Sequence, residues 1–325
     1  MMILGLQGSP RLKGNTAHLL SAFMATANKR GADTSVVEVP KLNLEPCRGC
    51  GFCEKKGRCV IEDDDMVRNI YPLLRMADAV VLATPIYFYN APAQLKALID
   101  RSQALWSRKY KLNLTDPKRR IRKGYLLAVG ATKGKNLFEG MELTAKYFFD
   151  AIGAAYMGSL TYRRIEHPGD MAAHPALATD VDQAVPTLTG SLENRKTVIF
   201  ACRENACRSQ MAAAYASLLG GDRIAAYSAG STPADSVNPL MEAVMAEEGI
   251  DMMYRTPRSL GDVLSRVKPD LLITMGCAEQ CPFVPGAARQ DWALPDPSGK
   301  SIEFMRSVRD EIKKQVQLLL ESVSS

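Results

Sequence analysis

The segment CRENACRS sets Cys202 six positions ahead of Arg208, with Ser209 directly after it. A loop of that length between a strand and a helix N-terminus can turn its backbone N–H groups inward and bind a tetrahedral oxyanion. Arg208 would close the cradle with a bidentate fork. The same positive surroundings lower the pKa of a central thiol, so Cys202 is expected as a thiolate near neutral pH. Ser209 is placed to hydrogen-bond the sulfur as it leaves. Two more cysteines, Cys277 and Cys281, lie four positions apart after an apolar run. Hydrolysis of a phosphate ester needs one thiolate and water. Reduction of a bound oxyanion needs a second thiolate to attack Cys202 and a third to carry the disulfide to a reductant. Cys277 and Cys281 fit those roles, and Cys207 is a further candidate.

The other four cysteines, Cys47, Cys50, Cys53 and Cys59, fall within thirteen residues. Thiolates at this spacing can wrap a [4Fe–4S] cluster, hold zinc, or cycle as dithiol pairs. Eight cysteines in a chain that begins without a secretion signal point to redox or metal chemistry rather than a disulfide framework. The three histidines, His18, His167 and His174, are not paired at ligand spacing, which speaks against a histidine metal site or a Ser/His/Asp triad. Near the N-terminus, GSPRLKGNT offers Ser9, Arg11, Asn15 and Thr16 as donors to a phosphate backed by a helix N-terminus. In TPIYFYNAPAQ, Pro85, Ile86, Tyr87 and Phe88 supply a wall for a planar ring. GATKGKN is a third glycine-bearing loop. Lys133 and the basic run from Arg101 are the cationic candidates for a nucleotide phosphate.

These loops need strands and helices to carry them. Apolar runs at 2–6, 34–39, 77–83, 124–129 and 155–160 read as strands, and 16–27, 92–102 and 138–152 as helices. Such alternation predicts a parallel sheet covered on both faces. The pattern lapses over 167–194 and restarts with strands at 197–201, 224–228 and 270–275 and helices at 208–219, 238–248 and 302–323. The fold class is therefore α/β, with two doubly wound parallel-sheet domains at 1–184 and 195–325 joined by a linker at 185–194. A length of 325 residues suits two domains. Hydrophobic residues at 46% and charged residues at 23% exclude a disordered or collagen-like chain. No run of about 18 apolar residues exists, so a soluble cytoplasmic protein without membrane partners is expected. The net charge of +6 is uneven: residues 1–195 hold 27 Lys and Arg against 19 Asp and Glu, and the remainder 14 against 16. Nine basic residues fall between 101 and 123. They form either a patch for an anion or a solvated face, and no nucleic-acid motif accompanies them.

CRENACRSQMAAA, SAGSTPADSVNP, EEGID, DLLITMGC and the pair Asp296 and Pro297 resemble the low-molecular-weight protein tyrosine phosphatase superfamily across 197–325. Within it, MGCAEQCP followed by DWALPDPSGK is similar to the arsenate reductase branch. The resemblance implies Cys202 as nucleophile, Arg208 as oxyanion clamp, Asn205 and Ser209 as organisers of the loop, and Asp296 as general acid. Ser298 and Gly299 stand where the phosphatases usually carry aromatic residues. Taken together and in order, the loops of the first half resemble the flavodoxin-like NADPH-dependent FMN reductases across about 1–160. That implies FMN at Ser9, Arg11, Asn15, Thr16, Pro85, Ile86, Tyr87 and Phe88, with NADPH or NADH as donor. The cysteine spacing resembles that of iron–sulfur flavoproteins, which implies a [4Fe–4S] cluster on Cys47, Cys50, Cys53 and Cys59. Reductases of this type often pair, so a homodimer is expected. The two resemblances lead to one expected function: an NAD(P)H-dependent flavin reductase fused to a thiol-based arsenate reductase, with thioredoxin as the outside partner where the flavin does not serve. The rival is a tyrosine phosphatase fused to a flavodoxin-like redox sensor.

Overall fold

The computed structural model describes residues 1–276 and 284–323, so Cys277 and Cys281 lie outside the described residues. The chain divides into two units, Met1–Asn113 with Ile121–Glu193, and Leu114–Arg120 with Asn194–Ser325.

The first unit runs β1 (Met2–Gln7), α1 (Asn15–Lys29), β2 (Asp33–Glu38), α2 (Phe52–Lys56), α3 (Tyr71–Met76), β3 (Ala79–Pro85), α4 (Ala93–Arg101), α5 (Gln103–Tyr110), β4 (Lys123–Gly130), α6 (Glu139–Ala151), β5 (Ala155–Arg163) and α7 (Leu177–Thr189). Its five strands are parallel in the order β2-β1-β3-β4-β5, the flavodoxin-like doubly wound order. Every residue of β1 is buried, and β3 and β4 are buried over all but one end residue. These strands are continuous apolar runs because helices cover both faces of the sheet. On one face Leu19, Leu20 and Phe23 of α1 share a core with Val181, Val185 and Leu188 of α7.

Two expectations fail here. The stretch 185–194 is no loose linker. Val185 to Thr189 complete α7, and Val185, Leu188 and Leu192 are buried. Apolar side chains at 177, 181, 184, 185 and 188 recur at helical spacing and dock on α1 despite Pro186 within the helix. The basic run 101–123 is not one exposed patch either. Arg122 is fully buried and donates to the carbonyls of Ala77, Ile152 and Arg75 at 2.8 to 3.2 Å. Arg108 is buried and donates to Gly57 O, and Lys109 pairs with Asp150.

Close packing at Gly124 gives a stability prediction. A Cβ there would lie 2.3 Å from Phe149 Cδ1, and Phe149 is itself fully buried. Gly124→Ala is therefore expected to destabilise the first unit by about 1–3 kcal/mol through overpacking, read as a lower urea midpoint.

The second unit runs β6 (Lys196–Cys202), α8 (Arg208–Gly220), β7 (Ile224–Gly230), α9 (Pro239–Glu247), α10 (Leu260–Leu264), β8 (Leu271–Met275), β9 (Ala288–Asp291) and α11 (Ile302–Val323). The strands are parallel in the order β7-β6-β8-β9. α8 is buried on nearly every side, and α11 packs along it through Ile312, Val316 and Leu320. This unit also takes in Leu114–Arg120, where Thr115 bridges Ile250 by exchanging hydrogen bonds with Gly249 and Asp251. Contiguous boundaries at 184 and 195 therefore miss one segment. No helix among the described residues is long and apolar enough to cross a membrane.

Candidate active site and cofactor sites

Cys202 is the last residue of β6, and six positions later α8 begins at Arg208. Strand end and helix start fix the loop between them. The Asn205 backbone N–H donates to Cys202 Sγ at 3.2 Å, and Ser209 Oγ lies 3.0 Å from the same sulfur. Asn205 holds a left-handed backbone, φ +51°. Such a conformation suits asparagine better than most residues, and here its side chain is tied on three sides. Its Nδ2 donates to Ser209 Oγ (2.8 Å), while Oδ1 accepts from the Arg258 N–H (2.9 Å) and from Gln210 Nε2 (3.2 Å). Gly230 lets β7 approach the loop, since a Cβ there would meet Arg203 O at 2.8 Å.

Arg208 is buried with its guanidinium held in place. Nη1 donates to Leu294 O at 3.2 Å, and Nη2 lies 3.4 Å from Asp296 Oδ1. Gly276, at φ +74°, leaves room for that guanidinium, because a Cβ would stand 2.9 Å from Nη1. Cys202, Asn205, Arg208, Ser209 and Asp296 are thus brought together. The sequence reading missed Gln210 and the carbonyl of Leu294. Gln210 sits inside the quoted motif, whereas nothing about an apolar leucine announces a carbonyl that aims an arginine.

Cys207 is the further candidate for a resolving thiol. It is buried and donates to Met305 Sδ at 3.2 Å. Burial, with Cys202 nearby, pushes its thiol up to about 12. The fold thus prefers the protonated thiol. The resulting stability is full below the ordinary value of 9.0 and is lost as pH climbs through about 12, by up to about 4 kcal/mol. A Cys207→Ala variant is expected to lose less stability than the wild type between those pH values, measured by chemical denaturation under reducing conditions.

In the first unit a cavity of about 500 Å³ opens at the carboxyl ends of the strands. Ser9, Arg11, Asn15, Thr16, Pro85, Ile86 and Tyr87 line it, joined by Lys13, Gly14, Val129, Ala131, Ile165, Glu166 and Pro168. Arg11 and Lys13 bring positive charge to the start of α1. Gly14 stands at its N-cap without a side chain to occupy the first-turn N–H groups. An apolar wall, cations and an open helix N-terminus fit a flavin mononucleotide.

Asn15 is already engaged, donating to His167 O (2.9 Å) and accepting from the Met171 N–H (3.2 Å). It braces the far rim rather than offering a free amide. Phe88 is fully exposed and does not line the cavity. Tyr87 and Asn90 exchange backbone hydrogen bonds, and Phe88 and Tyr89 between them hold left-handed backbones.

Cys47, Cys50, Cys53 and Cys59 line one cavity of about 440 Å³. Cys47 and Cys50 are exposed and the other two half-buried. Ser107 Oγ donates to Cys53 Sγ at 3.5 Å. Among the described residues no three His, Cys, Asp or Glu side chains are gathered to hold a metal ion. A single zinc requires its donors to converge on one point. In a four-iron cubane each thiolate binds a separate iron, so its donors need not converge on one point.

With this geometry in hand, likeness to known proteins is informative. Residues 197–325 match the low molecular weight phosphotyrosine protein phosphatase family, and residues 1–162 match the NADPH-dependent FMN reductases. Through its second unit the chain belongs to the low molecular weight phosphotyrosine protein phosphatase family. There it is 35% identical over 131 residues to a glutaredoxin arsenate reductase of Synechocystis sp., covering 40% of this chain and 99% of that protein. It is 36% identical over 128 residues to arsenate reductase 1 of Staphylococcus epidermidis, covering 38% and 94%. Through its first unit it is 40% identical over 112 residues to an iron-sulfur flavoprotein of Methanosarcina thermophila, covering 34% of this chain and 58% of that protein. The chain spans about half the length of the iron-sulfur flavoproteins it matches. Both halves have oxidoreductase relatives.

Proposed function

We propose that the second unit is a thiol-based arsenate reductase and that the first is an NAD(P)H-dependent flavin reductase feeding the same pathway. The observation that carries this is the Cys202 sulfur, which accepts from the Asn205 N–H and lies 3.0 Å from the Ser209 hydroxyl in the loop that ends at Arg208. Arsenate reductases covered almost end to end by this chain support the choice of oxyanion.

Arsenate enters the loop, and Arg208 and the loop N–H groups bind its oxygens. Cys202 attacks arsenic, an As–S bond forms and an arsenic-bound oxygen leaves. Asp296, beside Arg208, gives that oxygen a proton, so that water departs. A second thiolate then attacks Cys202 Sγ. The S–S bond forms, the S–As bond breaks, and its electron pair leaves with arsenic as arsenite. A third thiolate displaces Cys202 and completes a disulfide elsewhere. Cys277 and Cys281 are assigned these two roles on the resemblance to arsenate reductases, with Cys207 buried against Met305. Two electrons from a dithiol or from the flavin unit restore the thiols.

In the first unit Arg11, Lys13 and the start of α1 would hold the phosphate of FMN, and Pro85, Ile86 and Tyr87 would flank its ring. Bound FMN supplies hydride acceptance from NAD(P)H. Cys47, Cys50, Cys53 and Cys59 would hold a [4Fe–4S] cluster, which supplies one-electron transfer when bound. Fusion raises the effective concentration of donor for acceptor.

A phosphatase reading shares Cys202, Arg208 and the acid Asp296, and it needs no reductant. Arsenate-dependent NADPH oxidation by the anaerobically purified chain, without thioredoxin, separates the two. Arsenite formed in step with NADPH loss is the expected result. Arsenite only after thioredoxin and its reductase are added would mean that the flavin unit does not serve the arsenate site. Aryl phosphate turnover with no arsenite under either condition would establish the phosphatase.

A further inference from the structure

The loop that carries the first four cysteines has little structure of its own. Residues 43–51 form no regular element, and Cys47 and Cys50 are exposed. Its two stems are held by one buried side chain. From the end of α4, Arg101 donates through Nη1 to the Glu45 carbonyl at 2.8 Å and through Nη2 to the Ile61 carbonyl at 3.1 Å. These carbonyls lie two positions before Cys47 and two after Cys59. The same guanidinium pairs with both carboxylate oxygens of Asp64, at 2.5 and 3.1 Å, and neither side chain reaches solvent to any extent. Asp64 also accepts from the backbone N–H of Glu45 at 3.2 Å, so the first stem is gripped by both partners. α5 adds a second hold through Arg108 on Gly57 O and Ser107 on Cys53 Sγ.

Arg101 lines the cavity shared by the four cysteines. Its remaining donor, Nε–H, is buried and has no partner among the described residues. A buried donor without an acceptor is rare in a folded protein and costs stability. Sulfur in that cavity would be an acceptor, and hydrogen bonds and charge beside cluster sulfurs set how readily a cluster is reduced.

We propose that Arg101, locked by Asp64, is the positioning residue of the cysteine centre. It clasps both stems of the loop so that the four thiols line one cavity, and its charge favours the reduced, more negative state of the cluster they hold. This rests on the cluster reading given above.

The test reconstitutes the full chain anaerobically with ferrous iron and sulfide. It measures iron per chain and the midpoint potential, and follows amide hydrogen exchange over 43–61 in the metal-free chain. Arg101→Lys keeps the charge but loses the fork. Arg101→Met combined with Asp64→Leu removes both charges together, so that neither is left buried alone. The double variant is expected to bind iron about 10- to 100-fold more weakly and to exchange faster over 43–61. Its residual cluster should titrate at a lower potential than the wild type, with Arg101→Lys shifted less. A cooperatively folded double variant with wild-type iron, potential and exchange overturns the proposal. Should that variant not fold, wild-type iron uptake and exchange in Arg101→Lys overturn it instead. If the wild-type chain takes up no iron, the cluster reading falls and exchange alone decides: faster exchange in the variants upholds the clasp, and unchanged exchange removes it as well.

Discussion

Cys202→Ser is expected to lower arsenite release at least about 10³-fold, because removing a nucleophile leaves only binding and electrostatics. Serine fits the space, so Asn205, Ser209 and Arg208 keep an oxyanion cradle. The variant should still bind arsenate or phosphate, and this separates chemistry from binding. Arsenite assayed directly in single-turnover reactions, alongside phosphate protection against thermal unfolding, makes the check. Lost turnover with retained protection is the predicted pair of results. Undiminished arsenite release would remove the thiol mechanism altogether.

Arg208→Lys should cost about 10²- to 10³-fold in kcat/KM, equivalent to about 3–4 kcal/mol of transition-state stabilisation. Lysine keeps the charge and loses the fork. In this site the fork is already oriented: Leu294 O fixes one nitrogen and Asp296 pairs with the other. An ammonium cannot meet both and still present two parallel N–H groups to an oxyanion. A loss below about threefold would mean that charge alone suffices and that the aim of the fork is irrelevant.

Strands with two covered faces were readable from composition alone. β1, β3, β4 and β8 are mostly apolar and almost wholly buried, and each lies within a residue or two of its expected place. β9 was not readable. Its residues ARQD are all exposed, so an edge strand built on backbone hydrogen bonds to β8 left no apolar trace. α7 was missed for the opposite reason. Prolines and small residues masked a clear apolar spacing that only the neighbouring α1 makes necessary. Of the oxyanion site, every side chain that touches sulfur was legible, since chemistry dictates residue type there. The supports were not, because a carbonyl such as Leu294 O belongs to the backbone whatever the residue. The exposure of Phe88 was not legible either, because residue type does not announce the left-handed turn at 87–90 that presents it.

Cys202 is only 3% exposed at the floor of its loop, and that imposes a size limit on its visitors. An arsenate or phosphate ion is small enough to reach the sulfur. A folded reductant protein, with a dithiol borne on its own surface, is too bulky to follow. Oxidising equivalents produced at Cys202 are therefore stranded unless a thiol on a short tether comes down to collect them and returns. On the proposed reading, the oxyanion reaches the sulfur directly, whereas a protein reductant needs a messenger thiol between itself and Cys202. A soluble dithiol of small size, such as dithiothreitol, should partly stand in for the messenger where a protein reductant cannot.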